Sequence, residues 1–157
     1  MPRTRALAVV VAAAALTLAA CGSDEPATGP GPAATTPATV LTLNSTKQLG
    51  TVVVDANVNT LYRYDQDSAN PPTATCVDDC AEDWPPVLTD PSEKPVLEGI
   101  DEAAFGTVTR PDGSVQVTIG GWPVYRHADS APGATDGNGV DDTWFAIQPD
   151  GSKAAAT

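Results

Sequence analysis

The sequence predicts a mainly β fold, with two tandem repeats of about 60 residues packed as one small domain behind an export leader and a disordered linker. Three observations predict it. Short apolar and β-branched runs alternate with Gly, Pro, Asn and Asp turns from Leu41 onward, with no convincing 3.6-residue period. The two halves of that stretch resemble each other. Ahead of them lies a segment too poor in apolar residues to fold.

Residues 1–20 read as a signal peptide. Arg3 and Arg5 precede an apolar run from Ala6 to Leu16, and Leu18-Ala19-Ala20-Cys21 closes it. The ending resembles a bacterial lipobox, which implies that Cys21 is lipidated and becomes the first mature residue. The lipid bilayer is then a partner through the Cys21 anchor, and the expected address is the extracytoplasmic face of the cell membrane. Residues 21–40 are rich in Pro, Gly, Ala and Thr and read as a disordered linker. Both leader arginines are lost on cleavage, so six Lys and Arg face 20 Asp and Glu in the mature chain, a net charge of −14. Such acidity speaks against nucleic-acid binding, because phosphate backbones are held by clusters of Lys and Arg.

The folded part is expected over 41–151, with one repeat at about 45–92 and the other at about 100–151, followed by a flexible tail at 152–157. Thr51–Asp55 and Thr60–Asp65 flank Ala56–Asn59 and suit a hairpin. Phe105–Arg110 and Ser114–Ile119 flank Pro111-Asp112-Gly113, a second hairpin. Trp122–His127 follows a Gly120-Gly121 turn, Thr143–Ile147 closes the domain, and Pro95–Ala104 has room for one helical turn. Internal likeness ties the halves together. Leu49-Gly50-Thr51-Val52 returns as Phe105-Gly106-Thr107-Val108, Tyr62-Arg63-Tyr64 as Tyr125-Arg126-His127, and Trp84 as Trp144, at offsets near 60 residues.

The segment Leu61-Tyr62-Arg63-Tyr64-Asp65-Gln66-Asp67 resembles the Y-x-[FWY]-x-x-D signature of the bacterial secreted-repeat lipoproteins of unknown function. The context agrees: LGTVVVD before it, then C-x₃-C and AEDWPPVL after it. The second half departs from the signature, since His127 stands for the second aromatic and Tyr125 to Asp129 is one residue shorter than Tyr62 to Asp67. The resemblance implies fold and address and brings no chemistry.

Each candidate site carries two readings. With Cys21 lipidated, Cys76 and Cys80 form a pair that should oxidise outside the cytoplasm, either as a structural disulfide or as a redox or soft-metal site. Tyr62 and Tyr64 share one face of a strand, as Tyr125 and His127 do. They are either paired aromatic platforms for a ligand or core residues, with Asp67 and Asp129 accepting turn N–H groups. His127, Asp129 and a serine, Ser114 or Ser130, can be drawn as a hydrolase triad, but the flanking elbow and Gly-rich loop are missing, so no enzyme is expected. Asp136, Asn138, Asp141 and Asp142 have the oxygen spacing of a calcium loop without its flanking helices, and Asp78, Asp79, Glu82 and Asp83 form a second acidic cluster; a solvated turn is the plainer account of both. The expected function is a non-catalytic binding module at the cell surface, acting on an unknown protein or small ligand and needing no cofactor. The alternative is a metal-handling or redox accessory protein using Cys76, Cys80, His127 and the acidic loops.

Overall fold

The computed structural model describes residues 39–156. The leader, Cys21 and nearly all of the linker lie outside the described residues. Strand β1 (Val40–Thr46) runs antiparallel to β2 (Gly50–Asp55), with Leu41 opposite Asp55 and Thr46 opposite Gly50, and β6 (Val96–Leu97) adds to β1 in parallel. Val40, which the sequence assigns to the linker, has its backbone taken up by this sheet. β3 (Tyr62–Tyr64) pairs with β10 (Trp144–Ala146), and β4 (Ser68–Ala69) with β5 (Pro72–Thr73). β7 (Phe105–Thr109), β8 (Val115–Ile119) and β9 (Trp122–Pro123) form an antiparallel meander.

The second hairpin forms as its turn residues require, with Gly113 at φ 84°. The first does not run its length. Asp55 N–H donates to Asn59 O and Leu61 N–H to Val53 O across a tight turn, but Tyr62 then leaves β2 and pairs with β10, because the Val53 N–H that a longer hairpin would use donates to Ile147 O instead. Where a helical turn had room at Pro95–Ala104, β6 and a turn stand instead; the one α-helix among the described residues is α1 (Asp79–Asp83), inside the acidic C-x₃-C stretch. The tail is not free either. Lys153 bridges Ile147, and Ala154 is buried and donates its N–H to Ala146 O at 2.8 Å, so the chain is pinned to its next-to-last residues.

The repeats interlock rather than stand side by side. Val53 donates to Ile147 O, Ile147 to Leu61 O and Leu61 to Val53 O, a three-way backbone ring. Val117, Val87 and Val124 close the same ring in the other half: Val117 to Val87 O, Val87 to Val124 O, Val124 to Val117 O. Between the rings Tyr62 and Tyr125 exchange both N–H···O bonds at 2.9 Å, which marks a local two-fold axis. Trp144, from the second repeat, thus pairs with the Tyr62 strand of the first, and the Trp84 segment of the first pairs with Tyr125 of the second, through Arg126 N–H to Pro85 O and Ala128 N–H to Asp83 O. Each repeat lends the other a strand, so neither has a complete sheet alone.

This interlock explains why Val52, Val53 and Val54 are all buried. Val52 and Val54 face a core containing Tyr62, Trp84, Tyr125 and Trp144, while Val53 faces a second core with Leu41, Leu61, Val87, Val117, Val124 and Ile147. A strand covered on both sides reads as a continuous apolar run instead of an alternation. The Gly120-Gly121 turn has φ 57° and 84°, and a Cβ on either would lie within 2.6 Å of a backbone oxygen, of Asp150 and Ala69 respectively, so both positions need glycine.

Candidate functional site

The signature aromatics converge on the two-fold axis. Trp84 and Trp144 stack with centroids 3.9 Å apart and planes 3° from parallel. Tyr62 meets Trp84 edge-on at 5.5 Å, and Tyr125 meets Trp144 edge-on at 5.2 Å. Tyr64 stacks on the outer face of Trp144 at 4.2 Å, and His127 covers the outer face of Trp84 at 4.5 Å. The result is a column of four rings in the order Tyr64, Trp144, Trp84, His127, flanked by two tyrosines. Offset stacking and edge contacts of this kind add about 0.5–1.5 kcal/mol per pair beyond area burial. Tyr62 and Tyr125 are fully buried, while Tyr64 and His127 are half-buried at the ends of the column. The two inner tyrosines are therefore core residues and not ligand platforms.

The symmetry stops at the phenol oxygens. Tyr125 Oη donates to Asp67 Oδ2 at 2.7 Å, and Asp67 Oδ1 accepts Thr75 N–H at 2.8 Å and Thr75 Oγ1–H at 2.7 Å. Asp67 thus holds a loop and a tyrosine at once, a longer reach than the turn role its position suggests. Burial pushes its carboxyl above the usual carboxylate range, against the donors from Thr75 and Tyr125 and the nearby Arg110. Burial and then the Asp67 charge push the Tyr125 phenol far up. Asp129, its sequence counterpart, is exposed and accepts no hydrogen bond among the described residues. The shorter spacing after Tyr125 carries it past the core. Tyr62 Oη is buried with no hydrogen-bond partner, and its phenol is raised by burial and by the charge of Asp136.

His127 Nδ1 lies 2.8 Å from Ser130 Oγ, which in turn donates to Asp136. Ser130 is shared between the imidazole and a carboxylate, and Asp129 takes no part. Ser114 Oγ is spent on Asp112 at 2.6 Å within its turn. The triad drawn from the sequence is thus not assembled. The calcium-like loop has other duties: Asn138 Oδ1 accepts Ala146 N–H at 2.9 Å, Asp141 and Asp142 sit at positive φ, and Gly137 packs so closely that a Cβ there would lie 2.8 Å from the Tyr62 ring. Among the described residues no three His, Cys, Asp or Glu side chains converge as a metal site. Cys76 and Cys80 are disulfide-bonded with Cα atoms 5.3 Å apart, and Cys76 is buried in the tryptophan core.

Three arginines hold contacts that sequence reasoning missed. Buried Arg110 donates to Gln116 Oε1 at 2.6 Å and to Cys76 O at 2.7 Å, which ties the disulfide loop to β8. Arg63 lies over Trp122 at 3.2 Å and donates to Gly151 O. Arg126 Nε donates to Asp55 Oδ2 at 2.6 Å. Burial opposes ionisation of Asp55 but is outweighed by Arg126 and by the N–H groups of Asn59 and Asn57, so its carboxyl lies below the usual range. Above this ion pair opens a groove of about 230 Å³, lined in part by Val40, Leu41, Asn57, Val87, Leu88 and Arg126, with Leu88 49% exposed. Arginine inside an apolar strand pattern was the available signal.

Interlocked β repeats, a ring column on their axis and a disulfide before the first tryptophan define a class: a two-repeat secreted β module. A family model described as a secreted repeat of unknown function matches the chain twice, over residues 44–88 and 106–148, more than half its length. The chain belongs to that family of secreted repeats. No curated protein and no solved structure matches it.

Proposed function

We propose that the protein is a lipid-anchored module on the outer face of the cell membrane that binds a partner protein and does not transform it. The Cys21 lipobox supports the anchor, and no helix among the described residues is long and apolar enough to cross a membrane. The observation that carries the binding reading is the Asp55–Arg126 groove, where an exposed leucine stands beside an oriented ion pair. Apolar contact with a few placed polar groups is the composition of a binding cleft. The mature charge of −14 selects a basic partner, drawn in over long range and seated by an apolar side chain against Leu88.

Photo-crosslinking in intact cells tests it. A photoreactive residue at position 88 is expected to give a discrete adduct with a basic protein, and one at Asp112, in the β7–β8 turn, to give none. Equal adducts at both positions, or none at 88, would overturn the groove. Cys21→Ala is expected to release the protein from the membrane fraction; unchanged retention would overturn the anchor.

A further inference from the structure

The ring column and the Tyr125–Asp67 pair together make a path for an oxidising equivalent. We propose that the protein takes up one-electron oxidation at the Tyr64 edge of the column and stores it as a radical on Tyr125, with Asp67 as the proton acceptor. The inference goes beyond the binding reading and does not depend on it.

Contact carries the path. From Tyr64 the rings run to Trp144 at 4.2 Å and from Trp144 edge-on to Tyr125 at 5.2 Å, with Trp84 3.9 Å from Trp144 as a second indole to share the charge. Tyr64 is half-buried, so an oxidant in solution reaches the column without opening the fold. Tryptophan and tyrosine are the side chains from which one electron is most readily removed, and tyrosine oxidation at neutral pH requires the phenolic proton to leave. A proton moves readily only to an acceptor within hydrogen-bond reach. Tyr125 has one, Asp67 Oδ2 at 2.7 Å, and the donors Thr75 N–H and Thr75 Oγ1–H on Oδ1 fix that carboxyl in place and leave Oδ2 aimed at the phenol. Tyr62 occupies the equivalent place against Trp84, equally buried, and has no carboxylate within hydrogen-bond reach to take its proton. The two-fold axis supplies an internal control: same ring, same neighbour, opposite provision for the proton.

The steps balance. The external oxidant, a one-electron acceptor such as a high-potential metal complex, removes one electron from Trp144 through Tyr64. Tyr125 returns an electron to Trp144, and its O–H proton passes to Asp67. The products are a neutral tyrosyl radical, a protonated Asp67, an intact indole and the reduced oxidant. A small-molecule one-electron reductant such as ascorbate reverses the sequence, and Asp67 gives the proton back.

The test uses the full-length protein in detergent, with a photogenerated ruthenium(III) polypyridyl complex as oxidant, read by transient absorption and freeze-quench electron paramagnetic resonance. A Tyr64→Phe background removes the half-buried tyrosine whose phenol could oxidise by losing its proton to water. In that background an indole radical is expected first, giving way to a tyrosyl radical. Adding Tyr125→Phe should abolish the tyrosyl signal and prolong the indole radical, and adding Tyr62→Phe should change neither. Asp67→Asn keeps the phenol but removes the proton acceptor, and should also leave the indole radical standing. Retention of the Trp84–Trp144 exciton couplet in circular dichroism shows that each variant is folded. A tyrosyl signal that survives Tyr125→Phe, that falls with Tyr62→Phe, or that never forms in the background overturns the proposal.

Discussion

Tyr62 and Tyr125 hold matching places on either side of a two-fold axis, yet only one of them was given a partner. Both are fully buried, both meet a tryptophan edge-on, and their backbones bond each other. Around Tyr125 a carboxylate, a threonine and an arginine close a satisfied polar network. Around Tyr62 the corresponding aspartate has slipped to the surface, and a glycine presses against the ring. The backbone and ring packing kept the duplication; the polar groups did not. Packing is shared across the axis and must match on both sides, whereas a hydrogen bond to one oxygen is a local matter that either half can lose.

The shared part gives the largest effect. Trp84→Ala and Trp144→Ala each remove a ring from the centre of the column, and loss of a buried tryptophan costs about 3–5 kcal/mol. Each ring touches three others, so the two variants should be destabilised alike in chemical denaturation, and both should lose the exciton couplet. A large loss for one and a small loss for the other would break the two-fold account. The unshared part should behave in the opposite way. Asp67→Asn disturbs a buried network and should cost about 1–3 kcal/mol. Asp129→Asn, at the same signature position, should stay within about 0.5 kcal/mol of the parent, as surface changes do.

The covalent difference comes next. The first repeat reaches its tryptophan through Cys76–Cys80 and α1, the second through Gly139 and a turn at Val140–Asp142 with positive φ at both aspartates. A five-residue ring is worth roughly 2 kcal/mol by chain entropy. Cys76→Ala/Cys80→Ala should lower the denaturation midpoint accordingly, and hydrogen exchange should quicken around Trp84 before Trp144. Uniform quickening would show that the interlock spreads the loss. Smaller still is the contrast between the phenols. Tyr125→Phe leaves Asp67 Oδ2 without its donor and should cost about 1 kcal/mol, whereas Tyr62→Phe removes an unpartnered hydroxyl and should be neutral or stabilising, both measurable by urea denaturation.

The sequence carried the shared features and hid the unshared ones for the same reason. Turn residues with fixed φ requirements, such as Pro111-Asp112-Gly113, and the matched tyrosine and tryptophan positions are local and repeat themselves, so the mainly β class and the internal duplication were legible. The exchange of strands was not, since nothing near Tyr62 states that its strand partner is Ala146, 84 residues on, instead of the adjacent β2. The pinned tail was hidden likewise: Ser-Lys-Ala-Ala-Ala reads as a loose end until Lys153 meets Asp65 and Ala154 enters the core. Asp67 was legible as a motif residue, but its partners Thr75 and Tyr125 follow only from the tertiary fold.

Acid titration contrasts two aspartates that the fold treats in opposite senses. Asp55 has its carboxyl lowered in the fold, so the unfolded chain holds the proton more tightly. Its contribution is present above the ordinary carboxylate range and is lost as pH falls through the folded value. Asp67 has its carboxyl raised, so the folded chain holds the proton more tightly. It favours the fold most below the unfolded value, and that advantage is lost as pH rises through the folded one. Melting temperature followed downward from neutral pH should therefore fall less steeply in Asp55→Asn than in the parent, and more steeply in Asp67→Asn. Each replacement removes one titration of known sign and leaves the other in place. The effect is small because each is a single carboxylate and the two slopes partly cancel in the parent. Parallel curves for all three proteins would mean that Arg126 does not hold Asp55, and burial does not enclose Asp67, in solution as in the fold described.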